Sequence, residues 1–173
     1  MEATNLLKDL FSHMEWADAL VWSTVQKDTL LLDDHLLHDR LYHTHFVQRV
    51  FLHVWRNEPL DYEEGKLLQG KFLAKWAHEY YRSEPIAFQE LDNSKLDIDV
   101  HLPWASHFSQ KLGMEFSHPS LGETIMQVVT HSAYHRGQAN LRIRELGIEP
   151  PLTDFIAWVW SGKPQPSWPS WSK

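Results

Sequence analysis

The longest segment with apolar residues at helical spacing covers residues 119–146. Its apolar positions recur every three or four residues, and Gly147, a residue type that commonly follows the last turn of a helix, comes directly after it. The positions are Leu121, Ile125, Val128, Val129, Ala139, Ile143 and Leu146. An amphipathic helix of this length must bury one face, and other helices are common partners. This segment therefore predicts a helical bundle.

Three further helices are predicted. Residues 4–29 carry a helical apolar pattern, and residues 34–57 carry another that stops before Pro59, whose ring disfavours helix at the preceding residue. A third helix is expected in two pieces, residues 71–82 and 83–93, with Ser83 capping the second. Together with residues 119–146, these segments predict an all-α fold, a four-helix bundle in a single domain that spans residues 1–173.

The connection between the third and fourth helices has a different pattern. Residues 95–118 alternate apolar and polar positions in LDIDVHL and again in KLGMEF, so we expect a short extended or β crossover there. A short helix, DFIAWVW, should follow the Pro150-Pro151 pair. The tail, residues 161–173, is rich in Pro, Ser and Trp, which predicts an irregular segment whose exposed tryptophans could pack on a partner subunit.

Composition removes several classes of function. The formal net charge is −7 and no basic run is present, which disfavours a nucleic-acid partner. The chain has no cysteine, so any metal must use histidine or carboxylate ligands. The N-terminal residues lack the features of a secretory signal, and no apolar run approaches the ~20 residues of a membrane span. We therefore expect a cytoplasmic protein with no membrane partner.

Two histidines in the fourth predicted helix have the spacing of a metal chelate. His131 and His135 stand four residues apart, which places both side chains on one helix face with Cβ atoms ~5–6 Å apart. They follow the stripe of Leu121, Val128 and Ala139, so we expect them to face the bundle interior. The spacing alone is equally compatible with two core histidines that occur there by chance and are satisfied by hydrogen bonds.

A third ligand is expected from the second predicted helix. His43 shares a stripe with Leu36, Val47, Val50 and Val54, whereas His45 lies about 200° around the helix and His53 about 80° off the stripe. The remaining histidines are expected to be exposed or hydrogen-bonded. Three imidazoles leave one or two metal positions for water or substrate, so the metal could activate water, polarise a carbonyl or activate a thiol.

Several motifs resemble those of one known family. The segment HSAYHRGQANLRIRELGIEPPLTDF is similar to the metal-binding helix of the DinB-like family, which reads H-x-x-[YH]-H-R-G-Q before a glycine turn and a Pro-Pro pair. YHTHFVQRVFLHVWRNEP resembles the second-helix motif, which puts the remaining ligand on His43, and SHMEWADALVW is similar to the first helix. The resemblance implies an up-down-down-up bundle, often a homodimer, with zinc or nickel on three histidines.

The resemblance also implies a reaction class. Members with known activity are mostly thiol-dependent S-transferases, and some are metal-dependent hydrolases, so a small-molecule substrate and a low-molecular-weight thiol are expected. Tyr134 and Gln138 could orient the ligands by hydrogen bonds, and Arg136 could either steer an anionic substrate or form an ion pair on the helix surface. Gln48 stands where the family usually has Glu and is a further candidate to lie beside the ligands. Two alternatives stay open: a bundle that binds a metal or small ligand without turnover, and one that binds no metal.

Overall fold

The computed structural model describes residues 2–83 and 91–172, and this part of the chain is mostly helical. Its α-helices are α1 (Ala3–Val25), α2 (Thr29–Leu32), α3 (His35–Arg56), α4 (Gly70–Ser83), α5 (Ala105–Leu112), α6 (Leu121–Glu145) and α7 (Phe155–Trp160). A 3₁₀ turn, Ser170–Ser172, ends the described chain. The predicted all-α class is confirmed. The second piece predicted for the third helix, residues 83–93, lies largely outside the described residues.

Helices α3 and α6 form the pair that positions the site. Asp34 caps α3 by accepting from the Leu37 backbone N–H, and it also pairs with Arg142 near the end of α6, with 2.7 Å between Oδ2 and Nη2. At the other end of the pair, the Trp55 indole N–H donates to Thr124 in the first turn of α6 over 3.0 Å. The start of α3 therefore lies beside the end of α6, and the two helices are antiparallel.

Helices α1 and α4 complete one hydrophobic core with this pair. The ring of Phe11 on α1 lies 6.0 Å from the rings of both Tyr80 and Tyr81 on α4, measured between centroids. Buried apolar side chains from all four helices form the core, among them Leu7, Met14, Val21, Trp22, Leu37, Leu41, Phe51, Leu73, Ala77, Tyr80, Ile125, Val128, Ala139 and Ile143. None of the helices in the described residues is long and apolar enough to cross a membrane.

The crossover before α6 differs in part from the expected strands. Residues 93–97 form turns, and the single bridge residue Asp99 follows them. The backbone N–H groups of Leu121 and Gly122 donate to the carbonyls of Ile98 and Leu96, respectively. The one bridge found in the described residues joins Asp99 to Ser120, so this segment pairs with the start of α6 and not with a second strand. The prediction of extended structure was wrong for the first three residues of KLGMEF, because Lys111 and Leu112 end α5 and Gly113 caps it in a left-handed conformation.

The C-terminal tail packs on its own bundle. Trp168 is buried, its indole N–H donates to the Glu15 carboxylate on α1 over 3.2 Å, and its ring stacks on His78 of α4. Trp171 meets Trp22 edge-on. The expectation that these tryptophans are exposed for a partner subunit was therefore wrong, because α1 and α4 leave a groove that the tail's aromatic rings fill.

Candidate metal centre

Helices α3 and α6 bring three histidines together. His43 comes from α3 and His131 and His135 from α6, and their ring centroids are 5.2 Å (His43–His131), 4.4 Å (His43–His135) and 4.3 Å (His131–His135) apart. Each offers one nitrogen, and the three nitrogens all lie within 4.8 Å of one another. These three residues are called the histidine cluster below. They are the residues that the sequence predicted to share a site.

The spacing of the histidine cluster fits one metal ion. Metal–nitrogen bonds of ~2.0–2.1 Å place two nitrogen ligands of the same ion at most ~4.2 Å apart. The observed separations of up to 4.8 Å therefore require only a small side-chain adjustment. No carboxylate or further histidine of the described residues joins the group.

One nitrogen of the cluster has no partner of its own. The Nδ1 atom of His131 is buried and makes no hydrogen bond, although an unpaired buried polar atom is costly. His135 is different, because its Nδ1 lies 3.0 Å from the Gln138 side-chain oxygen. When this nitrogen donates to Gln138, the Nε2 atom of His135 keeps a free lone pair. The unpaired His131 nitrogen and the available His135 nitrogen both fit a metal ligand set.

The environment of the cluster keeps at least two histidines neutral. Burial and the neighbouring His135 and His43 lower the pKa of His131 to about 4. Burial, followed by the nearby His135, also lowers the pKa of His43 below its ordinary value. Both imidazoles are therefore neutral near pH 7, and the neutral form is the one that binds metal.

The cluster opens onto a cavity and not into the core. His43 is exposed, and Leu36, on the same stripe of α3, is 45% exposed. The prediction that this stripe faces the core was wrong: Leu37, Leu41, Thr44, His45, Gln48, Phe51 and Leu52 carry the buried face of α3 instead. Val47 and Val50 are apolar because they line the cavity. His131 and His135 are likewise half-buried and not enclosed in the interior.

The cavity beside the cluster has a volume of about 820 Å³ and includes His131 in its wall. Its other walls come from α3, from the connection between α3 and α4, from the crossover and from the first turns of α6. Phe46, Phe51, Tyr62, Trp104 and Phe108 supply aromatic rings, and we refer to the space as the aromatic cavity. These residues could not be identified from the sequence, because they come from three separate segments that only the fold brings together: α3, the α3–α4 connection, and the crossover with α5.

Two of the residues expected near the metal contact His135. Gln138 makes the hydrogen bond to Nδ1 described above, and Tyr134, which is 65% exposed, lies edge-on against the His135 ring with centroids 4.9 Å apart. Both residues therefore act on His135 and not on His43 in the part of the chain that the structure describes.

The other two residues expected near the metal belong to the core. Arg136 is buried and donates to the Asp18 carboxylate over 2.7 Å, so it forms an ion pair as one of the two interpretations expected, but in the core and not on the helix surface. Gln48 is fully buried, and its amide donates to Asp18, Tyr81 and Ser132 at 2.9, 3.1 and 3.0 Å. Its side-chain oxygen lies 2.9 Å from the Nδ1 atom of His45. The structure thus places Gln48 in a polar network behind the cluster.

The fold and the site define a helical protein with a three-histidine group that could hold a metal ion at the mouth of an apolar cavity. The sequence model of the DinB family matches residues 1–166. The chain therefore belongs to the DinB family. No curated protein and no solved structure matches it.

Proposed function

We propose that the protein is an enzyme that depends on a divalent metal held by His43, His131 and His135, and that the metal activates water or a thiol toward a small-molecule substrate. The observation that carries this proposal is that one nitrogen from each of the three histidines lies within 4.8 Å of the other two, with His131 in the wall of an open cavity. The buried Nδ1 atom of His131, which has no hydrogen-bond partner, adds support. A bound metal ion would remove the cost of burying a histidine nitrogen without a hydrogen-bond partner.

The residues in and around the histidine cluster have separate roles in the proposed reaction. Bound zinc or nickel would supply Lewis acidity, with coordination positions left for water or a thiol. Gln138 holds the His135 ring through Nδ1, and so presents Nε2 to the ligand set. The low pKa of His131 keeps its imidazole ready to bind metal at neutral pH. The apolar walls of the cavity reduce the water around a bound substrate.

Two reaction types fit this centre, hydrolysis and thiol-dependent S-transfer. Imidazole ligands suit zinc and nickel alike, so the ligand set does not choose between these metals. A second candidate function is a bundle that binds a metal or small ligand without turnover. The composition of the histidine cluster supports this non-catalytic alternative, because among the described residues no carboxylate belongs to the cluster and could act as a general base.

We also propose the up-down-down-up order of the four long helices. Arg49 on α3 donates to the Trp76 carbonyl on α4 over 2.7 Å. About two turns further along both helices, Arg56 donates to the Ser83 carbonyl, which supports a parallel α3–α4 pair. Trp22 meets His45 while Asp18 meets Gln48, which supports an antiparallel α1–α3 pair. A homodimer stays a proposal based on the family resemblance, and a cytoplasmic location stays one based on the sequence pattern of the chain. Sedimentation analysis tests the first and cell fractionation the second.

The test of the metal centre is elemental analysis of protein purified without a metal-affinity tag. We expect about one zinc or nickel per chain in the wild type, and loss of that metal in His43→Ala and His135→Ala. His35→Ala is the matched control, because His35 is an exposed histidine in the first turn of the same helix. A wild type without metal after supplementation, or a His43→Ala variant that keeps it, would contradict the assignment.

The reaction itself requires a second comparison. Metal-loaded and metal-stripped protein would be assayed for ester and amide hydrolysis, and for consumption of low-molecular-weight thiols with electrophilic substrates. Activity that follows metal content and is absent in His43→Ala supports the enzyme. A full metal complement with no turnover across both panels supports the non-catalytic alternative.

A further inference from the structure

The aromatic cavity has the size and lining of a small-molecule site. Its volume of about 820 Å³ lies within the ~300–1,000 Å³ typical of pockets for drug-sized ligands. Besides its five aromatic rings, Val47, Val50 and Leu102 line it. Aromatic rings and branched aliphatic side chains favour an apolar group, and flat groups can stack on the rings.

The charge of the lining excludes one class of ligand. Among the described residues that line the cavity there is no lysine or arginine, and the one charged side chain is Glu123. Its carboxylate is fixed in place, because it accepts from the Ser120 backbone N–H over 2.7 Å in the capping box of α6. An anionic group in this cavity would lose its hydration beside a negative charge and gain no counterion.

The wall that carries Tyr62 is anchored to α3 and α4 by Glu64. The Glu64 side chain accepts from the Arg49 guanidinium over 2.9 Å and from the Trp76 indole over 3.0 Å, and the Tyr42 hydroxyl donates to its backbone carbonyl over 3.2 Å. Gly65, next along the chain, has a φ of +73°, and a Cβ there would come within 2.7 Å of the Trp76 ring. The cavity wall is thus part of the packed fold.

The polar groups of the cavity that face the histidine cluster are neutral. Gln127 lies one helical turn before His131 on α6, and both line the cavity. The Thr124 hydroxyl is already used, since it donates to the Leu121 carbonyl and accepts from Trp55. A ligand could therefore meet an amide and the metal centre at one end and aromatic rings at the other.

We propose that the aromatic cavity binds the apolar, preferably aromatic, part of an uncharged substrate, and that it discriminates against anionic substrates through Glu123 and the absence of cationic side chains in its described lining. This inference rests on the proposed function, since it places that part of the substrate beside the metal centre. Such a cavity makes the metal-loaded protein selective for neutral electrophiles, esters and amides over phosphorylated or carboxylated substrates.

Two fluorescent probes test the proposal, because they differ by one charge. N-phenyl-1-naphthylamine is neutral, and 1-anilinonaphthalene-8-sulfonate is the same molecule with a sulfonate. We expect the full-length protein to bind the neutral probe with one site per chain and the sulfonate at least about tenfold more weakly. Glu123→Gln keeps the capping-box acceptor and removes the charge, so it should strengthen sulfonate binding about threefold or more and leave the neutral probe unchanged.

Cavity filling supplies the second arm of the test. Val50→Trp should weaken the neutral probe about tenfold or more because it occupies the cavity, whereas Leu67→Trp, at a residue that is 93% exposed, should leave binding unchanged. Far-UV circular dichroism of each variant shows whether it is folded. If Val50→Trp does not fold, Glu123→Gln still decides the question.

The outcomes separate this inference from the metal proposal. Neutral-probe binding that persists in metal-stripped wild type supports the cavity even if the purified protein never contained metal. Binding of the sulfonate as tightly as the neutral probe, or more tightly, would overturn the inference. So would a neutral-probe affinity that Val50→Trp leaves unchanged combined with a sulfonate affinity that Glu123→Gln leaves unchanged. Neither outcome affects the metal analysis.

Discussion

Two histidine–glutamine pairs on neighbouring helices have the same local geometry and different surroundings. On α3, the Nδ1 atom of His45 lies 2.9 Å from the side-chain oxygen of Gln48. On α6, the Nδ1 atom of His135 lies 3.0 Å from the side-chain oxygen of Gln138. Both glutamines follow their histidine by three residues, so both pairs span one helical turn. The second ring nitrogen distinguishes them.

The second nitrogen of His45 is already satisfied. The Trp22 indole N–H, which can only donate, lies 2.9 Å from the Nε2 atom of His45, so Nε2 accepts and Nδ1 carries the proton that is donated to Gln48. Burial also lowers the pKa of His45, against the opposing effects of Asp18 and Gln48. His45 is a neutral histidine with both nitrogens hydrogen-bonded, which is the environment of a structural residue.

The ring of His135 lies among other histidines. The rings of His43 and His131 are 4.4 and 4.3 Å from it, measured between centroids, and one nitrogen of each of the three residues lies within 4.8 Å of the other two. The comparison shows that a glutamine one turn away fixes the ring orientation in both cases. Whether the histidine is structural or a candidate ligand depends on what another helix presents to the free nitrogen.

The largest expected effect separates the core network from the cluster. Asp18 and Arg136 form a buried ion pair with 2.7 Å between carboxylate and guanidinium, and Asp18→Asn leaves the arginine charge without its counterion. We expect this variant to lose about 3–5 kcal/mol of unfolding free energy, measured by urea denaturation of metal-free protein. Metal content per folded chain should stay at the wild-type level.

The matched control for Asp18→Asn is an exposed ion pair. Lys163→Met breaks the ion pair of Lys163 with Asp9, whose side chains are 44% and 30% exposed, respectively. The loss should cost less than about 1 kcal/mol of unfolding free energy. A loss below about 1 kcal/mol in Asp18→Asn as well would show that the buried network does not contribute to stability in the way that its burial implies.

The next effect contrasts two histidines that are two residues apart on α3. His45→Ala leaves the buried Trp22 N–H without an acceptor, so we expect it to cost about 1–3 kcal/mol and to keep the metal. His43→Ala removes an exposed side chain, so metal-free protein should change by less than about 0.5 kcal/mol while metal binding is lost.

Denaturation with and without added zinc measures both properties in this pair of variants. At a metal concentration of about 100 times Kd, the wild type and His45→Ala should each gain about 2.7 kcal/mol, and His43→Ala should gain none. The reverse pattern, with stabilisation by zinc in His43→Ala and none in His45→Ala, would exchange the roles given to the two residues.

A smaller effect is expected at Gln138. Gln138→Leu removes the acceptor that orients His135 without removing a ligand, and should weaken metal binding about 10–100-fold, measured by competition with a chelator. Gln138→Glu keeps an acceptor at the same position and should retain wild-type affinity or exceed it. Equal affinities in all three proteins would show that Gln138 does not position His135.

The main helices could be predicted because their signals are local. The start of α3 at its Asp34 cap and the end of α6 before Gly147 follow from caps and periodicity that are visible in the sequence. Helix α5 could not be predicted in the same way, since it is only eight residues long, buries none of them and has no side-chain cap at its start. Gly113, which lies within the KLGMEF segment that was expected to be extended, is the cap of that helix.

The histidine cluster could be predicted more fully than its surroundings. His131 and His135 are one turn apart on one helix, and the family motif adds His43, so these residues are identifiable without the fold. The burial of Arg136 depends on Asp18, which is 118 residues away in sequence, and no local pattern reveals that contact. For the same reason, the stripe of His43 resembled a core face, because an apolar cavity wall and a core face have the same periodicity.

The smallest expected effect is the pH dependence of the buried pair. Burial alone would raise the pKa of Asp18, but Arg136, His45 and hydrogen bonds from Tyr81 and Gln48 hold it below the ordinary value. A carboxyl with a lowered native pKa stabilises the fold above the unfolded-state pKa of ~3.9, and this contribution is lost as the pH falls through the native pKa. Because burial opposes the lowering of the Asp18 pKa, the unfolding free energy lost on acidification should be smaller than the loss expected for Asp18→Asn.

Urea unfolding of metal-free protein at about pH 7, 5, 4 and 3 tests this dependence. The difference in unfolding free energy between wild type and Asp18→Asn should be constant above about pH 5 and should shrink below about pH 4. Taking the difference removes the titration of the histidine cluster, including that of His131 with its pKa of about 4, because both proteins contain it. A difference that grows on acidification would mean that the carboxyl of Asp18 has a raised pKa in the native state, and that burial outweighs Arg136 in the core.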